Sequence, residues 1–193
     1  MSRQSPLVEL ASGNTIVDLP AISITEKPYC SQYILRGLST DSAFTNAVKT
    51  ILGIDLPVKA NTLVGSEGLQ VCWMSPDQWL LVTADAAYSN KLTMLYGALQ
   101  DVFASLNEVS SGQTIINIKG EKAVEILNKG TTLDVHPSVF RQGQCAQVVF
   151  AKMHVLIYPL SLVDNYEYDL VVRRSFADFL GRWLINASYE YRI

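Results

Sequence analysis

Two stretches of this chain follow the same local order of residues. A strand pattern ending at Arg36-Gly37 leads into Ala47-Val48 and Ile51-Leu52 at helical spacing, and then into Ile54-Asp55-Leu56-Pro57. The order returns as Lys119-Gly120, then Ala123-Val124 with Ile126-Leu127, then Leu133-Asp134-Val135-His136-Pro137. Each stretch continues into three strand patterns and a long helix. A repeat of this kind restricts the chain to two similar halves of interleaved strands and helices, an α+β arrangement of sheet and helices.

The elements follow from periodicity and punctuation. Residues 21–27 alternate Ile22 and Ile24 with Ser23 and Thr25, a half-buried strand ended by Pro28. A second strand spans 31–38. After Asp41, Phe44, Ala47, Val48, Ile51 and Leu52 share one helical face, and Gly53 stops the helix. Strands follow at 62–65, 69–74 and 79–83, the last two joined by the turn Ser75-Pro76-Asp77. A long helix is expected from about Asn90, with Leu92, Leu95, Leu99, Val102, Phe103 and Leu106 on one stripe.

From Glu108 the pattern restarts. It gives a strand at 114–118, a short helix, strands at 146–151, 155–160 and 168–172, and a closing helix. That helix carries Phe176, Phe179, Leu180, Trp183, Leu184 and Ala187 on one face, with Ser175 and Asp178 spaced as a capping box. The expected organisation is an arm over residues 1–20 and a single compact unit over 21–193. The unit is made of two pseudo-repeats, about 21–107 and 108–193. Each is a degenerate β-α-β-β-β-α half.

Composition narrows the function. The net charge is -3 and the only basic run is Arg173-Arg174, which argues against electrostatic binding to nucleic acid or an anionic membrane. No apolar run has the length of a membrane span, and the first ten residues lack the apolar core of a secretion signal. Cys30, Cys72 and Cys145 are widely spaced and odd in number, which fits neither a disulfide framework nor a CxxC metal site. The cytoplasm is the expected compartment. Charged residues make up 17% of the chain, below the roughly 25% of typical soluble proteins. Either a Ser/Thr/Asn/Gln-rich exterior or a surface covered by a partner accounts for the shortfall.

The stretch 129–147 concentrates candidate chemistry. Asp134 lies two residues before His136, and Arg141 and Cys145 follow. This could orient a general base or pair a cysteine with an imidazole. The alternative is a proline-fixed turn in which Asp134 or His136 bonds local amides. The second reading is preferred, because the same turn occurs at 54–57 with no histidine or cysteine. His154 sits on a strand, 18 residues from the other histidine and without metal-site spacing. Gly65-Ser66-Glu67-Gly68 and Ser110-Ser111-Gly112 are turns, not phosphate loops or nucleophile elbows. Glu121 and Glu125 fit a solvated helix face, and Trp73, Trp79 and Trp183 fit core positions. The expected inventory is therefore no catalytic, no cofactor-binding and no metal-binding residue.

Lys129-Gly130, Leu133-Asp134-Val135-His136-Pro137, Phe140, Gly143-Gln144-Cys145-Ala146-Gln147 and Arg174-Ser175-Phe176-Ala177 with Trp183-Leu184 resemble the gamma subunit of heterotetrameric sarcosine oxidase. Leu56-Pro57, Asn61-Thr62 and Trp73-Met74-Ser75-Pro76-Asp77-Gln78-Trp79-Leu80-Leu81 extend the resemblance from about residue 33 onward. Thr131 departs from it, standing where many relatives are expected to carry cysteine.

The resemblance implies a fold like the folate-binding domain of glycine-cleavage aminomethyltransferases. It also implies a complex that oxidatively demethylates sarcosine to glycine, forming hydrogen peroxide and either formaldehyde or 5,10-methylenetetrahydrofolate. Its alpha and beta subunits would hold FAD, FMN, NAD and tetrahydrofolate, and its delta subunit zinc. The chain in hand would be a non-catalytic accessory subunit with no cofactor of its own. The alternative is a free-standing folate-binding one-carbon-transfer protein of the aminomethyltransferase type. A tRNA-modifying folate protein is disfavoured by Thr131, where its reactive cysteine would stand.

Overall fold

A computed structural model of the protein describes residues 4–66, 68–163 and 165–192. Residues 1–3 of the expected arm and Glu67 of the expected turn lie outside the described residues. In chain order the first elements are β1 (Thr15–Leu19), β2 (Ile22–Lys27), β3 (Ser31–Arg36), α1 (Ser42–Leu52), β4 (Leu63–Ser66), β5 (Leu69–Ser75), β6 (Gln78–Thr83) and α2 (Ala86–Ala98). They are followed by β7 (Ser105–Glu108), β8 (Gln113–Lys119), α3 (Ala123–Gly130), β9 (Ala146–Phe150), β10 (Met153–Ser161), β11 (Glu167–Arg173) and α4 (Arg174–Ala187).

The chain divides into two units: Cys30–Ser110, and the segment through Tyr29 joined to the chain from Ser111 onward. Each is built on one antiparallel sheet. The first has the strand order β4-β5-β6-β3-β7 and the second β1-β2-β8-β11-β10-β9. The repeat is visible in these orders, because β3, β4, β5 and β6 occupy the places that β8, β9, β10 and β11 take in the other sheet. Beyond them the strands cross over. β2 precedes β3 in sequence yet pairs with β8, and β7 precedes β8 yet pairs with β3. Strand 22–27, expected in the first pseudo-repeat, therefore lies in the second sheet.

Equivalent hydrogen bonds hold the two halves. Gly37 N donates to Asp77 O at 3.1 Å, and Gly120 N to Tyr166 O at 2.9 Å. In each half the second residue of a strand then ties down the Asp-containing turn: Trp79 Nε1 donates to Pro57 O at 2.8 Å, and Tyr168 Oη to Val135 O at 2.9 Å. Both aromatic side chains are fully buried, and burial pushes the Tyr168 phenol up to about 12. A buried polar tip of this kind needs a partner, and here the turn's carbonyl supplies it.

The apolar residues sort into one core per unit. In the first, Phe44, Val48 and Leu52 of α1 and Leu92 and Leu95 of α2 pack on Leu35, Val71, Trp79 and Leu81 of the sheet. In the second, Ala123, Ile126 and Leu127 of α3 and Ala177, Leu180 and Leu184 of α4 pack on Ile116, Ile118, Val155, Ile157 and Leu170. Asp41 caps α1 by accepting from Ala43 N at 2.8 Å, and Gly53 ends it in the left-handed region at φ 77°.

Four expectations need correction. Residues 15–19 of the expected arm form β1, paired with β2, and Leu7 and Val17 are in the core. The second helix begins earlier than Asn90, because Asp85 caps it by accepting from Ala87 N at 2.8 Å. It ends at Ala98, so Leu106 belongs to β7, opposite Leu35, and Phe103 is 87% exposed. Ser175 is not a cap. The residue preceding α4 is Arg173, which makes no side-chain capping bond, and Asp178 accepts instead from Arg182 Nε at 2.9 Å. Phe176 and Phe179 of α4 face outward, whereas Ala177, Leu180, Gly181 and Leu184 face the core. Gly181 decides this arc, since a Cβ there would lie 3.0–3.1 Å from the side chains of Leu10 and Leu7.

Candidate functional site

The stretch 129–147 is a braced turn. His136 N donates to Asp134 Oδ1 at 3.0 Å, and His136 Nδ1 lies 2.7 Å from Ser138 Oγ. Ser138 N donates to the same ring nitrogen at 3.2 Å, and His136 O accepts from both Val139 N and Phe140 N at 2.9 Å. The imidazole and the carboxylate are thus taken up by backbone and side chains within four residues, as in Asx-type turns. Arg141 donates to Ser138 O at 3.3 Å. Cys145 is 1% exposed, while His136 is exposed. Lys129, before the turn, reaches Ala187 O at 2.7 Å and also pairs with Glu190.

The other sequence candidates are placed apart. His154 is exposed on β10, opposite Val149. Glu125 is exposed on α3, accepting from Lys122 Nζ at 2.6 Å and from Tyr191 Oη at 3.1 Å. The Lys122 bond, with help from Tyr191, holds its carboxyl below the usual range. Glu121 is exposed, Trp79 is in the core, and Trp73 and Trp183 are half-buried. Trp183 meets Phe150 edge-on with centroids 5.2 Å apart. Among the described residues, no three His, Cys, Asp or Glu side chains come together as a metal would require.

Sequence reasoning missed a buried polar row on the six-stranded sheet. Thr25, Asn117, Asp169 and Tyr158 register side by side across β2, β8, β11 and β10. Lys27 Nζ contacts the two Asp169 oxygens at 2.8 and 2.9 Å, and Asn117 Nδ2 donates to Oδ1 at 2.7 Å. Asp169 is 4% exposed. On the other face of the sheet, buried Glu26 accepts from Thr114 Oγ1 at 2.6 Å and from Ser5 Oγ. The signal was present as a lone carboxylate inside the apolar run Tyr168-Asp169-Leu170-Val171-Val172. With three hydrogen bonds on its two oxygens, Asp169 ties β2, β8 and β11 together.

Burial pushes the Asp169 carboxyl up, and Lys27 and then Asn117 pull it part of the way back. A raised folded value means that the native state holds a proton which the unfolded chain has released. This contribution to stability is full below the unfolded value of about 3.9 and is lost as pH rises through the folded one. Asp169→Asn removes that titration. Urea titrations across the acid range should show wild type gaining on the variant as pH falls. A gap that moves the other way would contradict the assignment.

In the Cys30–Ser110 unit a groove of about 450 Å³ is lined by Arg36, Leu38, Asp77, Val102, Phe103 and Ser105. Arg36 pairs with Asp77 at 3.3 Å. The Ser75 hydroxyl, donating at 2.6 Å, and Arg36 hold the Asp77 carboxyl below its ordinary value. Leu38 and Phe103 are the exposed large apolar residues of its lining.

A family model described as the sarcosine oxidase, gamma subunit family matches residues 36–190. The sarcosine oxidase gamma subunits of Corynebacterium sp. (strain U-96) and Arthrobacter sp. are each 26% identical to this chain, over 98% of it and 91% of their own length. Among solved structures, a chain of the heterotetrameric sarcosine oxidase from Corynebacterium sp. U-96, in complex with pyrrole 2-carboxylate, matches with a TM-score of 0.87. The identity is 24%, and the match covers 99% of this chain and 97% of that one. Glycine cleavage system aminomethyltransferase T from Bartonella henselae matches with a TM-score of 0.65 at 10% identity, over 87% of this chain and 46% of its own. These two structural likenesses bear on the fold, which is shared with the aminomethyltransferase as expected from the sequence.

Proposed function

Because this chain belongs to the sarcosine oxidase gamma subunit family, we propose that it is a non-catalytic structural subunit of a heterotetrameric sarcosine oxidase. The family match over residues 36–190 carries the reading. The state of the candidate chemistry supports it, since the His136 and Asp134 side chains brace a turn and Cys145 is buried. The partners are the alpha, beta and delta subunits. FAD, FMN, NAD and tetrahydrofolate would be held by the alpha and beta subunits and zinc by delta. The assembled enzyme would demethylate sarcosine to glycine, producing hydrogen peroxide and formaldehyde or 5,10-methylenetetrahydrofolate. Among the described residues no helix is long and apolar enough to cross a membrane, and the cytosol is the proposed compartment.

The test separates assembly from chemistry. In the reconstituted complex His136→Gln is expected to leave the turnover of sarcosine within about twofold of wild type, as for a surface substitution. Abolished turnover in an intact complex would place the imidazole in the reaction and overturn the non-catalytic reading.

A further inference from the structure

We propose that the open edge of β7 receives an extended segment of another oxidase subunit as a sixth strand of its sheet. The segment places a basic residue beside Glu108 and an apolar side chain in the groove at Phe103. The inference rests on the subunit reading above and adds to it the docking edge and the chemistry of the partner. β7 ends the strand order of the five-stranded sheet, and among the described strands it pairs with β3 alone. Register decides which way its amides point. Gly37 N donates to Asp77 O, so the odd-numbered residues of β3 bond toward β6. Val109 N donates to Gln32 O, the residue opposite, so Asn107 and Ser105 bond to Ile34 and Arg36. The N–H and C=O groups of Leu106 and Glu108 therefore point away from β3, and none of them is bonded among the described residues. β7 has no bulge, proline or lysine, devices that keep an edge from pairing. An edge of this kind calls for a strand, not a helix.

The groove described above continues this edge. Ser105, the first residue of β7, is part of its lining, and Phe103 two residues earlier is 87% exposed. An extended segment of about six residues, roughly 20 Å long, spans β7 and reaches Phe103 and Leu38. Charge specifies its sequence. Between Lys91 and Lys119 the chain has no Lys, Arg or His, and its charged residues there are Asp101 and Glu108. Both are exposed. Glu108 accepts from the neutral Ser110 hydroxyl at 2.8 Å, and neither carboxylate joins an ion pair among the described residues. A lysine or arginine on the incoming strand would sit across from Glu108 as an opposite-charge pair. A second copy of this edge would bring two more carboxylates and no base, which disfavours self-pairing.

The test expresses the tagged chain together with the flavin-carrying subunits and quantifies the companions by mass spectrometry. Glu108→Pro removes an outward N–H that β3 does not use, a place where an edge strand accepts proline. It should lower companion recovery about tenfold or more, with a melting temperature within about 4 °C of wild type. Asn107→Pro cuts a bond to β3 and should lower the melting temperature by more than that. Phe103→Ser, at an exposed position, is the second arm and should lower recovery at an unchanged melting temperature. Glu108→Lys should lose more companion than Glu108→Gln. Wild-type recovery with either Glu108→Pro or Phe103→Ser would overturn the proposal, as would Glu108→Gln losing more than Glu108→Lys. An Asn107→Pro chain as stable as wild type would show that the other set of amides points outward, and would overturn the edge assignment. A wild-type dimer that Glu108→Pro dissolves would assign the edge to a second copy and overturn it too. A wild-type chain that recovers no companion would instead overturn the subunit reading, so the two failures are distinct.

Discussion

Gly120→Ala is expected to destabilise the protein by about 3 kcal/mol or more, close to the limit of what a small domain tolerates. Gly120 ends β8 at φ 139°, a conformation that side-chain-bearing residues rarely adopt. A Cβ there would sit 2.3 Å from the carbonyl oxygen of Ala21, which is backbone and cannot rotate away. Neither side of the contact can move freely, because Lys122 N donates to that same oxygen at 3.1 Å. Gly53→Ala is the control. It also has positive φ, 77°, but nothing lies within 4 Å of the added atom, so only the left-handed conformation is penalised, by about 1–2 kcal/mol. Urea denaturation of the two variants should separate them clearly. Equal losses would show that Gly120 is chosen for its dihedral alone and not for the close approach of β8 to the residue before β2.

Trp79→Ala should cost about 3–5 kcal/mol, the usual range for truncating a large core aromatic. The side chain is fully buried, meets Phe44 with centroids 5.7 Å apart, and donates its indole N–H to Pro57 O at 2.8 Å. Trp79→Phe keeps much of the apolar volume and removes the hydrogen bond, leaving a carbonyl without its donor at about 1–3 kcal/mol. Thermal or urea unfolding of both variants therefore divides the loss between packing and turn anchoring. If Trp79→Phe were as damaging as Trp79→Ala, the packing term would be wrong. If it were neutral, the anchor between β6 and the turn at 54–57 would be wrong.

The repeat was legible because its markers are local. Gly37 and Gly120, Asp55 and Asp134, and Pro57 and Pro137 announce strand ends and turns within a few residues of themselves. The exchange of β2 and β7 between the sheets was not legible, since strand pairing is non-local and β7, with Leu106 as its single apolar residue, reads as a continuation of the preceding helix. The α2 boundary failed because Leu99, Val102, Phe103 and Leu106 happen to continue the 3.6-residue spacing of Leu92 and Leu95. A real cap at Asp85 and the pairing of Leu106 with Leu35 override that spacing. For α4, periodicity found an apolar helix but not which arc is inside. Close packing of Leu7 and Leu10 on Gly181 decides it, and those residues lie some 170 positions away in the chain.

The candidate site divided in the same way. The stretch 129–147 was read as a turn because the comparison with 54–57 was available in the sequence. The bonds among Asp134, His136 and Ser138 are those of a local brace. Asp169 was passed over because strand patterning assigns burial without asking whether a buried charge has partners. Those partners, Lys27 and Asn117, come from β2 and β8.

The most direct test of the account is to purify the tagged chain from its own cells and record the visible spectrum of what comes with it. The account predicts flavin absorbance together with a large companion subunit. A colourless species of 21.3 kDa alone, from cells that contain the oxidase subunits, would contradict it.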